Sequence, residues 1–205
     1  MTPKTLTRRL ALLGAISALG GCSAVSALNS AAQPLDTYDL SPVPGSQTGR
    51  RTSRTMLVAR PEAPAAIATD RIMIKPGVAS ITYLPDARWS DELPLVIQSL
   101  LIRSISGTGR IGYVGRSDGG PVPDSALLVR IDAFNVNALP DGTFTVEVDL
   151  TLTIVDDSDQ RVTATQRFST NAPLASDTPV SIVSAFQGLL DGLLPQMADW
   201  AVKRA

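Results

Sequence analysis

One stretch of eleven residues alternates strictly between apolar and polar side chains. In FTVEVDLTLTI, every second residue from Phe144 to Ile154 is apolar, and Thr, Glu or Asp stands between them. Successive side chains of a β-strand point to opposite faces of its sheet, so this period predicts a strand with one buried and one solvated face. The chain must therefore build a sheet that something covers on one side.

Segments on both sides of this stretch predict further strands. ALLVRIDAFNVN precedes it through the turn residues 139–142, and RVTATQRFST follows it after the acidic turn 156–159. Three consecutive strands with short turns predict an antiparallel meander. RIMIKP and SITYLP are shorter strand candidates, separated by Pro76 and Gly77, and residues 44–54 are predicted to form a surface loop.

One amphipathic segment precedes the meander and another follows it. In the first, Ser90 is the predicted N-cap, and apolar residues recur at steps of three and four from Leu93 to Ile105. The second helix is predicted to begin with Thr178 as its cap and Pro179 in its first turn. It should bend or break at Gly188, Gly192 and Pro195. The expected fold is α+β, an antiparallel or mixed β-sheet with two main helices packed on one face.

The N-terminal segment has the order of a secretory signal peptide. Three basic residues (Lys4, Arg8 and Arg9) precede the uncharged run 10–19, and two glycines then lead to Cys22, the only cysteine of the chain. Ten residues of helix span only about 15 Å, half of a bilayer core, so this run is too short for a transmembrane anchor. Leu19-Gly20-Gly21-Cys22 resembles the bacterial lipobox, in which the cysteine is acylated and becomes the first residue.

Several expectations follow from a lipidated Cys22. Residues 1–21 are predicted to be the lipoprotein signal peptide, residues 22–35 a flexible tether, and residues 36–203 the folded domain. The acyl chains, palmitate among them, would attach the protein to a membrane without spanning it. Ser23 stands where an Asp retains many lipoproteins on the inner membrane. We therefore expect a place on the outer membrane facing the periplasm, with the periplasmic face of the inner membrane as the alternative.

Composition disfavours several classes of function. The chain carries 18 basic and 19 acidic residues, so it has no cationic excess for nucleic acid. It contains no histidine, which removes the commonest general base and the commonest neutral metal ligand. Its three lysines stand at positions that do not suggest a Ser-Lys dyad. We expect neither enzymatic activity nor a bound cofactor or metal.

Two motifs imitate known sites. The cluster Asp156, Asp157 and Asp159 lacks the glycine and the glutamate of a calcium loop, so a solvated hairpin turn is the better interpretation. Gly107-Thr-Gly-Arg-Ile-Gly112 matches a dinucleotide fingerprint in letters only. It follows a predicted helix and precedes a strand, whereas the fingerprint needs the reverse order.

The segment from Tyr83 to Asp91 is a candidate binding surface. Tyr83 and Trp89 are two of the few aromatic residues in a chain with 4% aromatics, and both flank a predicted strand-to-helix loop. Trp89 is more simply interpreted as a hydrophobic staple before the Ser90 cap. Tyr83 and Arg88 remain candidates for contact with a partner protein, since such residues are favoured at interfaces.

The order of these segments carries a family resemblance. YLPDARWSDELPLVIQSLLIRSI followed by SGTGRIGYVGRS, the early Tyr38-Asp39-Leu40 and the late Val183-Ser-Ala-Phe186 with Trp200 resemble the ABC-type transport auxiliary lipoproteins, the PqiC/YmbA-like group. The resemblance runs from about residue 36 to residue 202 and includes the lipobox.

The resemblance implies a periplasmic subunit without catalytic residues of its own. Its partners would be MCE-domain proteins and an ABC transporter that moves phospholipid or related lipids across the envelope, with a second copy of the chain as a further contact. The alternative is an accessory lipoprotein of outer-membrane assembly or secretion that is unrelated to ABC transport. Neighbouring genes for an MCE-domain protein and an ABC ATPase would favour the first.

Overall fold

Eight strands and two helices make up the described part of the chain, residues 35–205 in this computed structural model. The predicted signal peptide, the lipobox and the tether up to residue 34 lie outside the described residues. The strands are β1 (Asp36–Tyr38), β2 (Thr55–Val58), β3 (Arg71–Gly77), β4 (Ser80–Trp89), β5 (Tyr113–Arg116), β6 (Ser125–Ala138), β7 (Phe144–Asp156) and β8 (Val162–Pro173). The helices are α1 (Leu93–Ser106) and α2 (Pro179–Arg204).

Strand β6 organises a single mixed sheet. It pairs with β7 in antiparallel fashion and, at its two ends, with β2 and β3 in parallel fashion. The remaining parallel pairs are β1–β4 and β2–β5, and the remaining antiparallel pairs are β3–β4 and β7–β8. The sheet is therefore mixed, as one of the two predicted arrangements required.

The predicted meander is formed by β6, β7 and β8. The register pairs Ile131 with Leu150 and Leu150 with Phe168, all three of them buried. The polar residues between the apolar positions of β7 point to the other face, where Thr153 pairs its hydroxyl with that of Thr165 at 3.1 Å. The period-two pattern thus predicted correctly which face of β7 is buried, because alternate side chains of a strand point to opposite faces and only one face is apolar.

Helix α1 begins three residues later than the predicted cap at Ser90. Its N-cap is Glu92, which makes no capping hydrogen bond with its side chain, and the Ser90 hydroxyl donates instead to Asp39 at 2.8 Å. The predicted Ser90 cap is therefore wrong, because β4 continues to Trp89 and the chain must still turn before the helix starts. The predicted apolar stripe from Leu93 to Ile105 is buried as expected.

Helix α2 begins as predicted and runs on as one helix past the predicted break points. Thr178 caps it by accepting from the backbone N–H of Ser181 at 3.4 Å, and Pro179 is in the first turn. The helix then continues through Pro195 to Arg204, so the predicted break is absent. Buried side chains on both sides of the proline, Leu194 and Met197, hold the segment in one helix.

The first hairpin turns later than its sequence suggested. Pro76 and Gly77 belong to the end of β3, and the turn itself lies at Val78 and Ala79. Both helices contact each other and pack on the apolar face of the sheet. The fold is α+β with two main helices on one face, as predicted.

Candidate partner-binding surface

Tyr83 and Arg88 both lie in β4, between two neighbouring strands. The predicted strand-to-helix loop is wrong, because β1 pairs with residues 87–89 on one edge of β4 and β3 pairs on the other. The β3–β4 register shifts between these two residues, and Asp86 there adopts a φ of 55°. An irregular strand of this kind changes the direction of its side chains without leaving the sheet.

Arg88 is exposed and held by two neighbouring segments. Its Nε donates to the Thr37 hydroxyl at 3.1 Å, and its guanidinium lies 3.7 Å from the Asp70 carboxylate. The side chains of Arg88 and Asp70 are 46% and 38% exposed, so the pair is a surface ion pair. Such a pair stabilises the fold by at most about 1 kcal/mol. Arg88 thus has a defined position and remains accessible.

Tyr83 is half-buried and its hydroxyl is used internally. It donates to the backbone carbonyl of Ala66 at 3.0 Å. The Arg71 guanidinium lies 5.8 Å from the centre of the Tyr83 ring and donates to the carbonyl of Leu84 at 3.1 Å. Arg71 also pairs with Arg88 in the β3–β4 register, so it stands between the two predicted site residues. The Tyr83 hydroxyl is therefore engaged within the domain.

Trp89 belongs to the core. It is 2% exposed, and its ring meets those of Phe134 and Phe186 edge-on at centroid distances of 5.8 and 5.6 Å. A packing role was the simpler prediction and is confirmed, although the staple motif is not, since α1 is capped elsewhere. The Trp89 ring is unavailable to a partner.

A shallow cleft of about 390 Å³ opens beside Arg88. We call its charged border the Arg88 surface, which consists of Asp70, Arg88, Asp91 and Glu92. Glu92 forms an exposed ion pair with Arg60. Asp70, Asp91 and Glu92 border the same cleft as Arg88, so the Arg88 surface carries charges of both signs. Complementary charge across an interface sets specificity and the association rate.

Sequence reasoning missed the partners that position Arg88. Thr37 is 51 residues away in the chain, and it reaches Arg88 only because β1 pairs with β4 in parallel. Asp70 precedes β3 and arrives through the β3–β4 pairing. Neither Thr37 nor Asp70 belongs to a sequence motif that would have identified it as a partner of Arg88.

The carboxylates whose pKa values are shifted take part in hairpin turns or ion pairs. The pKa of Asp132 is lowered, chiefly by its hydrogen bond with Arg130. The pKa values of Asp141 and Asp156 are lowered by the hydroxyls of Thr143 and Ser158 in their turns. A lowered pKa keeps these groups ionised at neutral pH, whereas a general acid needs a raised one.

The two misleading motifs occupy ordinary turns. Asp156 Oδ1 accepts from the backbone N–H and the hydroxyl of Ser158, so this oxygen is engaged within the β7–β8 turn. Within residues 35–205, no cluster of three or more His, Cys, Asp or Glu residues is arranged to hold a metal. The glycine-rich segment 107–112 follows α1 and precedes β5, with Gly109 at a φ of 63°. A helix before the segment and a strand after it is the predicted order, the reverse of the one a dinucleotide fingerprint needs.

Comparison with known proteins gives a family and a fold. The family model described as "ABC-type transport auxiliary lipoprotein component" matches residues 38–198. None of the curated proteins compared with the chain matches it. None of the helices in the described part of the chain combines the length and apolar character that crossing a bilayer needs.

Solved structures share the architecture at low sequence identity. A protein from Xanthomonas campestris, described as a member of family DUF330, superposes with a TM-score of 0.74 at 21% identity, over 82% of this chain and 96% of that one. An uncharacterized protein gives 0.63 at 15% identity, over 84% and 100%. A hypothetical protein from Chlamydia trachomatis gives 0.51 at 7% identity, over 76% and 98%. At such identities the likeness concerns the fold alone.

Proposed function

The chain belongs to the ABC-type transport auxiliary lipoprotein family, and we propose that it is the lipid-anchored, periplasm-facing subunit of an MCE/ABC-type envelope lipid transport system. The family match over residues 38–198 is the observation that carries this proposal, because it covers almost all of the described domain. The subunit would act by binding other proteins, and its ABC partner would hydrolyse ATP.

Attachment to the membrane would depend on Cys22. The lipobox Leu19-Gly20-Gly21-Cys22 supports acylation of this thiol, and the family description names a lipoprotein component. Diacylglycerol together with a further acyl chain would give stable anchoring, since about 0.8 kcal/mol is gained for each buried methylene. Ser23 after the lipidated cysteine favours the outer membrane.

Contact with the transporter would include Arg88, with Tyr83 beside it. Arg88 is accessible, and two partners already hold its side chain. A side chain with a defined position loses less conformational entropy on binding than a free one, which favours its use at an interface. The mixed charge of the Arg88 surface suits a partner patch of complementary mixed charge, in which an acidic group faces Arg88.

The direct test is purification of the mature, acylated protein from detergent-solubilised envelopes. We expect an MCE-domain protein and the ABC components to co-purify with it. Co-purification of outer-membrane assembly or secretion components instead would contradict the transport proposal and support the alternative function. Recovery of the protein alone, at salt concentrations that preserve known envelope complexes, would also overturn it.

A further inference from the structure

Large apolar side chains are exposed where two hairpins turn. Val78 in the β3–β4 turn is fully exposed, Ile81 after it is 53% exposed, and Leu139 in the β6–β7 turn is 40% exposed. Val78 and Leu139 border one cleft of about 370 Å³. We call this region the hairpin end, which consists of Lys75, Pro76, Val78, Ile81, Leu139 and Pro140.

The two turns share one end of the sheet because β3 and β6 are parallel. Lys75 pairs with Asn137, which places both turns just beyond these residues. The β7–β8 turn lies at the opposite end, since Ser125 at the start of β6 pairs with Asp156. That opposite turn consists of charged and polar residues. Val122 and Val162 are exposed near that opposite end, whereas Val78 and Leu139 at the hairpin end border one common cleft.

Turn formation does not require these side chains. Glycine, proline, asparagine, aspartate and serine favour turns for backbone reasons, whereas valine has no such role. Contiguous exposed apolar groups mark surfaces that bind a partner or a membrane. The hairpin end therefore needs an occupant.

The direction of β1 indicates what covers the hairpin end. β1 runs parallel to β4, with Asp36 beside Ala87 and Tyr38 beside Trp89, and β4 runs away from the hairpin end. The chain thus enters the domain while moving away from that end. From Ala87 back to Ser80 the strand covers roughly 23 Å at 3.3 Å per residue. The predicted tether, fourteen residues from Cys22 to Leu35, would have an r.m.s. reach of about 20 Å and an extended reach of about 45 Å.

We propose that the hairpin end rests on the lipid surface that carries the anchor, an inference that depends on the proposed acylation of Cys22. Val78, Ile81 and Leu139 enter the boundary between headgroups and acyl chains, and Lys75 meets the lipid phosphates. Contact through three side chains is weak alone, but a short tether keeps the effective concentration high.

The charge at this end is compatible with a lipid surface. Lys75 borders the cleft, and the one carboxylate of the β6–β7 turn belongs to Asp141. The Asp141 carboxylate accepts from the backbone N–H of Thr143 at 3.0 Å and from its hydroxyl at 2.7 Å. Its charge is thus turned toward its own hairpin.

The chain provides its own labelling strategy. Acylation converts the only cysteine into a thioether, so an introduced cysteine becomes the single free thiol of the mature lipoprotein. Val78→Cys probes the hairpin end, and Val162→Cys, 57% exposed at the opposite end, is the matched control. Each variant carries an environment-sensitive fluorophore in vesicles of phosphatidylethanolamine and phosphatidylglycerol, with and without lipids that bear a quencher on the acyl chain.

We expect lipid-borne quenching at position 78 to exceed that at position 162 by several-fold. Adding Ile81→Asp and Leu139→Asp should reduce it to the control value while the protein stays attached to the vesicles. Equal quenching at both positions, or an apolar environment at position 78 that arises only on adding an MCE-domain partner, overturns the inference. A wild-type Cys22 that still reacts with maleimide overturns the anchor itself, and the inference with it.

Discussion

The Phe186 ring of α2 stacks on the Phe134 ring of β6, with centroids 4.5 Å apart and planes inclined by 4°. Trp89 at the end of β4 meets both rings edge-on. These three aromatic residues join one helix to two strands that are remote in the sequence. They form a packing centre directly beneath the strand that presents Arg88.

Phe186→Ala should destabilise the domain by about 3–5 kcal/mol, because it leaves a cavity beside two aromatic rings. Combined with Phe134→Ala, the loss should be smaller than the sum, with a coupling of about 0.5–1.5 kcal/mol. Urea unfolding of the single and double variants measures both quantities. Val180→Ala, at an exposed position of the same helix, serves as control and should change stability by less than about 0.5 kcal/mol.

Leu150→Asp should unfold the domain, because it places an unpaired carboxylate in the core at a position with 0% exposure. The expected loss is several kcal/mol, about 4 or more. Thr153→Asp, on the other face of β7, should cost about 1 kcal/mol or less. Circular dichroism melts of both variants test the facing of β7, and equal destabilisation would show that the assignment is wrong.

Arg88→Glu should leave the fold intact and weaken association with the transporter. Losing a surface ion pair costs at most about 1 kcal/mol, whereas the reversed charge sits among Asp70, Asp91 and Glu92 and repels a partner's acidic groups. Arg161→Glu breaks another exposed pair, with Asp159, at the far end of the sheet, and should not affect association. Co-purification together with the thermal midpoint separates the two effects. Unchanged co-purification for Arg88→Glu would remove this residue from the proposed contact.

Cys22→Ser should abolish membrane attachment and leave unprocessed precursor or released protein. The expectation depends on the lipobox, in which only a thiol can accept the diacylglycerol. Fractionation followed by a carbonate wash measures it, with wild-type protein as the reference. Equal recovery of variant and wild type in the washed membranes would refute lipid anchoring through this residue.

The ion pair of Asp132 with Arg130 should make stability depend on pH in the acid range. The lowered pKa of Asp132 means that its contribution is complete above the ordinary value of 3.8 and is lost as the pH falls through the folded-state pKa. Asp132→Asn should therefore lower the thermal midpoint at pH 7, and the difference from wild type should shrink below about pH 4. A difference that stays constant from pH 7 to pH 2 would contradict this assignment.

The sequence by itself determined those elements whose buried face or first residue can be recognised from neighbouring residues. The alternation in β7 predicted its buried face, the apolar stripe predicted α1, and Thr178 with Pro179 predicted the start of α2. Each of these signals lies within a few residues, because side-chain direction repeats with the period of the element. The lipobox is also a short motif of neighbouring residues, and a processing enzyme recognises it directly in the sequence.

Only the tertiary structure decided how remote segments meet. Parallel pairing of β1 with β4 lengthened β4 to Trp89, moved the helix cap away from Ser90 and brought Thr37 to Arg88. Parallel pairing of β3 with β6 gathered Val78 and Leu139 at one end of the sheet. These pairings join strands that are distant in the sequence through backbone hydrogen bonds. Backbone hydrogen bonds do not depend on side chains, so neither strand shows a residue pattern that identifies its partner. The candidate contacts of this protein therefore arise from topology, since the residues that form them are distant in the chain and adjacent only in the sheet.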